Sequence, residues 1–558
     1  MGLTIRICSG IALGALLCTA PAAPARTNSP TPLMLYAEGR MADIDGANKA
    51  AAIAYSNALL ASPEDGALAL RAYRQAIDAG DRALALSAAR MLDAKNALPA
   101  DGVLLLFSDR VAKRDWAAAQ LLLAKLDPKN GLGFLVPVLR AWTQYGAGVG
   151  DPLATLAAPD KDSLIKSYAR EHSALMQLAL GKVEEGRTAI ATLAADPRTI
   201  ALRLSAAAQL AGKGNKAAAL EVLSGDDGAM RTARALVTAG KPLGGAVNRP
   251  AEGIAYLLSR VASDLMRDRA TPAALTLARL ASFSAPGDDM GQLVLAQALL
   301  ANAKVDPALA AIDAIKPTSV VAPALRELRI EALQQAGRDE AALALAKQTA
   351  IAPDATINEQ LLLGQSYTRV RAFGEAAEVY AGVIKRIEAD DRRIKSPQTG
   401  ASWRLWLLYG GALDAAKDWA RAKPALQRAV ALGPDQASTL NHLGYAMLER
   451  GDNLEEATRL VAKASALRPD DPAITDSLGW AFFKRGQTAD AIPILENAVA
   501  SDPTISETSE HLGDAYWSVG RRVDARYTWS AALVQAGDDD AINRLKAKIA
   551  DGLADARK

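Results

Sequence analysis

The chain has 558 residues, which is more than one compact hydrophobic core usually takes, so it must form several domains or one extended array. Half of the residues are apolar but only 5% are aromatic, and alanine and leucine, both strong helix formers, supply most of the apolar count. The net charge of +2, with acidic and basic residues interspersed, argues against nucleic acid as a partner. The composition therefore predicts an all-α protein with a surface of mixed charge.

The N-terminus has the layout of a secretory signal peptide over residues 1–25. Arg6 is followed by an apolar run over 7–20, and Ala23-Pro24-Ala25 forms a small-x-small cleavage signal. A membrane anchor is the alternative, but the run is short for a span of about 20 residues. We expect an exported, periplasmic protein without a transmembrane span in the mature chain. Peripheral association with the outer membrane stays open.

Both cysteines, Cys8 and Cys18, lie inside this leader, so the mature chain has none. Disulfides, iron–sulfur clusters and thiol catalysis are then excluded. Lipidation of Cys18 is an alternative to simple cleavage. A lipidation site normally has a small residue directly before the cysteine, and Leu17 argues against it.

Residues 26–355 predict irregular helix pairs. Apolar helical stretches over 26–238 are separated by breakers such as Pro63, Pro99 and Gly80-Asp81, which indicates a degenerate helical array. Residues 239–252 are rich in glycine and proline and predict a loop or hinge. A second irregular array is expected over 253–355.

Residues 356–537 contain five phased units with a period of 34 or 35 residues, apart from an insertion over 389–400 before the unit at Gly410. Each unit has a glycine in its first helix, a first small residue twelve or thirteen positions later in its second helix, and most units have a closing proline. The glycines are Gly364, Gly410, Gly444, Gly479 and Gly513. Small residues are needed where two helices cross closely, and the proline ends one pair before the next.

These phased units resemble the tetratricopeptide repeat, or TPR. The resemblance implies a right-handed superhelical solenoid of antiparallel helix pairs whose first helices line a concave groove. The block from Asp476 to Trp480, with His511 to Trp517, is similar to exported bacterial TPR proteins, a group that includes the lipoprotein adaptor of a carboxyl-terminal processing protease. That likeness implies a scaffold or adaptor role in the cell envelope.

Residues 538–558 predict a capping helix. The acidic run Asp538-Asp539-Asp540 suits a helix N-terminus, and Ile542, Leu545, Ile549 and Leu553 share one face.

No residue set predicts catalysis, a metal site or a cofactor site. The three histidines are far apart in sequence, and the string Ser163-Leu164-Ile165-Lys166 lacks the further motifs that serine–lysine hydrolases use. The glycine-rich run 146–150 follows a predicted helix, whereas a dinucleotide site requires a strand before the loop. We therefore expect no enzymatic activity and no cofactor.

The repeat phase predicts which first-helix side chains point into the groove. Earlier repeats offer polar residues there, namely Gln365, Thr368, Arg369, Arg404 and Asp414. The predicted peptide groove of the later repeats consists of Tyr445, Glu449, Asp476, Trp480, Phe483, Lys484, Glu510, Asp514 and Trp517.

Aromatic residues are rare in this chain, so their clustering predicts anchors for a protein or peptide partner. Packing of some rings between adjacent repeats is the alternative. The sequence thus predicts a protein-binding scaffold or adaptor of the cell envelope; the alternative is a structural component of a trans-envelope secretion or polysaccharide-export machine.

Overall fold

A computed structural model describes residues 30–126, 131–157, 163–194, 196, 199–225, 228–352, 355–394 and 402–553. Within these ranges the secondary structure consists of α-helices and short 3-10 turns, such as Gly133–Leu135, without a strand. Most consecutive helices pack as neighbours. The all-α prediction of stacked helix pairs is confirmed. The predicted signal peptide, residues 1–25, lies outside the described residues.

The helices follow one another through short turns. In chain order they are α1 Pro32–Ile44, α2 Asn48–Ala61, α3 Gly66–Ala79, α4 Arg82–Ala94, α5 Ala100–Ala112, α6 Trp116–Leu123, α7 Val136–Ala147, α8 Pro152–Ala157, α9 Ser163–Ala179, α10 Val183–Leu193, α11 Ile200–Gly212, α12 Lys216–Val222, α13 Gly228–Thr238, α14 Pro250–Arg267, α15 Thr271–Ser284, α16 Asp289–Ala301, α17 Val305–Asp313, α18 Ala322–Gln335, α19 Asp339–Ala350, α20 Ile357–Arg369, α21 Phe373–Ile394, α22 Trp403–Ala415, α23 Trp419–Leu432, α24 Ala437–Arg450, α25 Leu454–Leu467, α26 Pro472–Lys484, α27 Thr488–Ser501, α28 Ser506–Ser518, α29 Arg522–Gln535 and α30 Asp539–Asp551.

The chain divides into two compact units. The first contains the described residues up to Leu202 together with Ala246–Gly291, and the second contains Arg203–Gly245 together with the described residues from Gln292 onward. Each of the predicted arrays 26–238 and 253–355 contributes residues to both units, so the domain boundaries stay a prediction. The predicted loop lies between α13 and α14, where residues 239–249 contain no helix.

In the first unit, the helix hairpin α14–α15 packs across the first helices of the preceding pairs. Helix α14 contacts α5, α7 and α9, and α15 contacts α3 and α5. Close approach requires glycine at Gly253, where a Cβ atom would lie 2.1 Å from the Trp142 ring. The hairpin therefore covers the first-helix face of this unit.

A buried charge pair fixes the hairpin in place. The guanidinium of Arg260 on α14 lies 3.2 Å from the carboxylate of Glu171 on α9, and Tyr256 donates a 2.7 Å hydrogen bond to the same carboxylate. These side chains are almost fully buried, so the loss of either charged partner would leave an uncompensated buried charge and destabilise the contact of α14 with α9.

The C-terminal repeats of the second unit pack where their glycines predict. A Cβ atom on Gly479 would lie 2.7 Å from the Leu495 side chain of the paired helix, and one on Gly513 would lie 2.4 Å from the Trp529 ring. Gly486, at the turn between α26 and α27, has a positive φ of 77°, which glycine adopts without strain. These contacts join α26 to α27 and α28 to α29.

The predicted capping helix is α30. Asp538 caps its N-terminus by accepting a 2.8 Å hydrogen bond from the Ala541 amide, and Leu545 is fully buried against the last repeat. Of the helices in the described ranges, none is long and apolar enough to cross a membrane.

Candidate functional site

The nine residues of the predicted groove lie on α24, α26 and α28 and form two groups of contacts. Six of them gather around the contact between Trp480 and His511, whereas Glu510, Asp514 and Trp517 contact α29 and α30.

The Trp480 ring is stacked between Phe483, at a centroid distance of 4.8 Å, and His511, at 3.9 Å, and both ring pairs are within 14° of parallel. The Trp480 side chain is only 6% exposed. The structure therefore places this ring between two repeats, which is the alternative that the sequence left open.

Two charged side chains contact the Trp480 ring, one at its indole nitrogen and one over its face. Its indole Nε1 donates a 2.7 Å hydrogen bond to Glu449, and the Lys484 Nζ lies 5.0 Å from the ring centroid, within cation–π range. Lys484 Nζ is also 3.5 Å from the Glu449 carboxylate. Glu449 is exposed and Lys484 half-buried, so both charges remain accessible at the rim of the stack.

The His511 ring of this stack forms a buried ion pair with Asp476. The distance between His511 Nδ1 and the nearer carboxylate oxygen is 2.9 Å. Burial lowers the pKa of His511, but the charge and hydrogen bond of Asp476 outweigh burial and raise that pKa above its ordinary value. The half-buried Tyr445 donates its hydroxyl hydrogen to Glu507, and its oxygen lies 3.5 Å from His511 Nε2.

Helix α30 supplies the cations that neutralise the acidic residues of the second group. Arg544 and Lys548 each lie 2.7 Å from Glu510, and Lys548 lies equally close to Asp514. Burial raises the pKa of Glu510, but the hydrogen bonds from the two cations outweigh it and lower the value to about 2. Burial dominates at Asp514, whose pKa is raised despite Lys548.

Trp517 is covered by side chains of α29 and by the backbone just after α30. The Arg522 guanidinium stacks 3.9 Å above its ring and that of Arg526 lies at 5.0 Å. Gly552, just after α30, lies so close that a Cβ atom there would overlap the ring. Trp517 is half-buried, and its large face packs against its own chain.

The polar residues predicted in the earlier repeats are more accessible. Gln365, Thr368 and Arg369 on α20 and Arg404 on α22 are exposed, and Arg369 forms an ion pair with Asp339. The face formed by first helices is thus open and polar at α20 and α22, and filled by aromatic and ionic contacts at α26 and α28.

Sequence reasoning missed the partners Arg544 and Lys548. The spacing of charged residues on α28 and α30 could have predicted these partners. Glu510 and Asp514 are four residues apart on α28, and the two cations are four residues apart on α30, so both pairs share one face of their helix. The sequence predicted no role for His511, whose ring packs against Trp480 and pairs with Asp476.

Within the described residues, no group of three or more His, Cys, Asp or Glu side chains could hold a metal ion. The arrangement offers hydrogen bonds, charges and ring edges to a bound partner.

No family model matches the chain, and no curated protein matches it. The resemblance to the lipoprotein adaptor therefore stays a prediction.

Solved structures of repeat proteins do align with the chain. The APC/C hetero-tetramer Cut9–Hcn1 is 13% identical over 93% of this chain and 96% of its own, with a TM-score of 0.38. A tetratricopeptide repeat protein from Parabacteroides merdae is 13% identical over 52% of this chain and 96% of its own, with a TM-score of 0.34. YrrB, a TPR protein with an unusual peptide-binding site, is 18% identical over 32% of this chain and 86% of its own, with a TM-score of 0.25. Likenesses this distant carry no argument about function.

Proposed function

We propose that this protein is a non-catalytic scaffold or adaptor of the cell envelope that binds a protein or peptide partner on the first-helix face of repeats 356–537. The observation that carries the proposal is the accessibility of this face, which differs from that of the corresponding face in the first unit. Exposed polar side chains on α20 and α22 lead to the half-buried ring edges and accessible charges around Trp480. In the first unit, by comparison, the corresponding face is covered by the hairpin α14–α15.

The chemistry of the open face indicates how a partner would be recognised. Gln365 and Thr368 offer hydrogen bonds and Arg404 offers positive charge. Arg369 and Glu449 are exposed as well, but they are paired with Asp339 and Lys484.

Because Trp480 is enclosed by its own repeats, it stabilises this surface and does not contact the partner with its ring faces. The contacts with the partner are therefore polar, with some packing against ring edges. Binding of this kind weakens with increasing salt.

The proposal of an envelope location rests on the sequence of residues 1–25, with its apolar run and cleavage signal.

The test compares two exposed arginines of the same repeat. Arg404 lies on the first helix α22 and Arg428 on the second helix α23. Arg404→Glu should reduce recovery of the partner from envelope extracts in affinity purification, because it reverses a charge on the proposed face. Arg428→Glu should leave recovery unchanged. Equal recovery by the wild type and both variants would remove this face from the account.

Size fractionation of envelope extracts decides between an adaptor and a component of a larger machine. An adaptor should appear free or with one partner when envelope extracts are fractionated by size. Stable co-fractionation of nearly all of the protein with a large membrane complex would favour the machine.

A further inference from the structure

Helix α29, the second helix of the last repeat, carries an exposed apolar stripe. Val523, Tyr527 and Val534 are 82%, 79% and 80% exposed, and Ser530 between them is exposed as well. At about 100° per residue these four positions fall within a sector of roughly 60° on one side of the helix. A contiguous row of exposed large apolar side chains, unlike a single one, indicates an interaction site.

The stripe is specific to the last repeat. The same four positions of the three preceding second helices carry small or polar residues or proline, namely Ala420, Pro424, Gln427 and Ala431 on α23, Glu455, Arg459, Ala462 and Ala466 on α25, and Ala489, Pro493, Glu496 and Ala500 on α27. The packing inside the solenoid does not demand apolar residues there, because the other repeats do without them.

The spacing of the stripe is self-complementary. Its members are separated by four, three and four residues, the spacing of a helix–helix seam. The pattern is also symmetric about its centre. When two copies of α29 pack antiparallel, Val523 of each copy meets Val534 of the other, and Tyr527 meets Ser530.

The charges around the stripe suit the same antiparallel arrangement. Arg522 and Arg526, whose guanidiniums lie over the Trp517 ring, flank Val523 near the start of α29. The exposed carboxylates Asp539 and Asp540 lie beyond the end of α29, in the first turn of α30. Antiparallel packing brings the basic end of one helix beside the acidic end of the other. A parallel arrangement would place like charges together, which is unfavourable.

We propose that α29 is a dimerisation surface, on which a second copy of this chain packs its own α29 antiparallel about a two-fold axis. Such an interface is isologous and closes after two copies. One helix pair is below the size of a stable interface, about 1,200 Å² in total, so the dimer is weak and forms with increasing concentration. The surface lies on a second helix, so the proposal does not depend on the partner face of the first helices.

Sedimentation velocity of the full chain over a range of about 1 to 100 µM tests the proposal, since this range suits a small interface. We expect a monomer–dimer equilibrium whose Kd rises about tenfold or more in Tyr527→Glu, because a central tyrosine is lost and a charge is buried. Leu432→Glu, at another exposed apolar position on a second helix, should change the Kd less than about twofold. Circular dichroism verifies that both variants fold.

Cross-linking tests the antiparallel register. In a chain with Cys8 and Cys18 replaced by serine, Val523→Cys and Val534→Cys are made separately and treated with a bismaleimide that spans about 8 Å. The two equivalent residues of a dimer would be about 16 Å apart along the axis, given a rise of 1.5 Å per residue. Each variant alone should therefore cross-link poorly, whereas a mixture of the two should cross-link efficiently.

A monomer at every concentration would overturn the proposal. A dimer that Tyr527→Glu leaves intact, or that cross-links as well with one variant as with the mixture, would also overturn it, because the contact would then lie elsewhere or run parallel.

Discussion

The Trp480 side chain is enclosed by Phe483 and His511 and hydrogen-bonded to Glu449. Truncation to alanine would leave a large cavity, so Trp480→Ala should lower the free energy of unfolding by about 3–5 kcal/mol. Urea unfolding followed by circular dichroism measures this loss. Leu432→Ala, at a position that is 40% exposed, should cost less than about 1 kcal/mol. A loss for Trp480→Ala as small as that of the control would show that the ring is not enclosed.

The pair of His511 and Asp476 should make stability depend on pH. Because Asp476 raises the pKa of His511 in the folded state, the stabilisation is fully present below the unfolded value of about 6.5 and is lost as pH rises through the folded pKa. Titration of the histidine rings by NMR should show His511 with a pKa above the ordinary value. In Asp476→Asn that pKa should fall, since burial alone lowers it.

His442, which is half-buried and lies 3.7 Å from Asp414, is the internal control in the same spectra. The chemical shifts of its ring should be unchanged by Asp476→Asn. A His511 pKa that does not respond to this substitution would contradict the ion pair.

For single residues, the sequence predicted the helix on which a side chain lies better than the exposed fraction of that side chain. The repeat phase identified which side chains lie on the first helices, and the structure places six of the nine around Trp480 and His511. The repeat phase could not show that Trp480 is covered, because the covering ring of His511 comes from the next repeat, 31 residues further along the chain. Exposure depends on side-chain packing across repeats, which the spacing of one helix does not determine.

At the scale of helices, α30 completes the last repeat with charge as well as apolar contact. Lys548 donates hydrogen bonds to both Glu510 and Asp514, which are buried. Lys548→Met keeps the length of the side chain but removes the cation, and should lower stability by about 2 kcal/mol, the value for hydrogen bonds to charged groups. Thermal unfolding and hydrogen exchange of the α30 amides measure this change.

Lys546 provides the matched control, because it lies on the same helix and is exposed. Lys546→Met should change stability by less than about 0.5 kcal/mol. Equal effects of the two substitutions would mean that α30 is held by its apolar face alone.

Elements were predicted well where the repeat is regular. The capping helix was expected from 538 onward, and α30 begins at Asp539 after the Asp538 cap. The hairpin α14–α15 was expected to start a second array, yet it packs on helices up to 200 residues earlier in the chain, as in the hydrogen bond from Arg279 to the Asp78 carbonyl. A contact of such long range leaves no signal in local periodicity.

For the whole molecule, the two units differ in whether the face of their first helices is free. In the first unit the chain covers this face with its own hairpin, and in the second unit the face of α20 and α22 remains accessible. We therefore expect partners of the first-helix face to bind the second unit.

Export is a prediction about the whole chain. The cleavage signal predicts that the mature protein begins at Arg26, and intact mass measurement of the exported protein tests this. Ala25→Arg should block cleavage because the position before the cut must be small, whereas Ala22→Arg should be tolerated. Recovery of the wild type with residues 1–25 still attached would contradict cleavage.

Partner binding on the open first-helix face is the central claim, and site-specific photo-cross-linking in the native envelope tests it most directly. A photoreactive amino acid is placed at Gln365 or Thr368 on α20, and at Arg428 on α23 as a control; all three positions are exposed. We predict that the two first-helix positions cross-link to the same protein and that Arg428 does not. Cross-linking of that protein with equal yield from Arg428, or no cross-linked protein from either position on α20, would contradict the account.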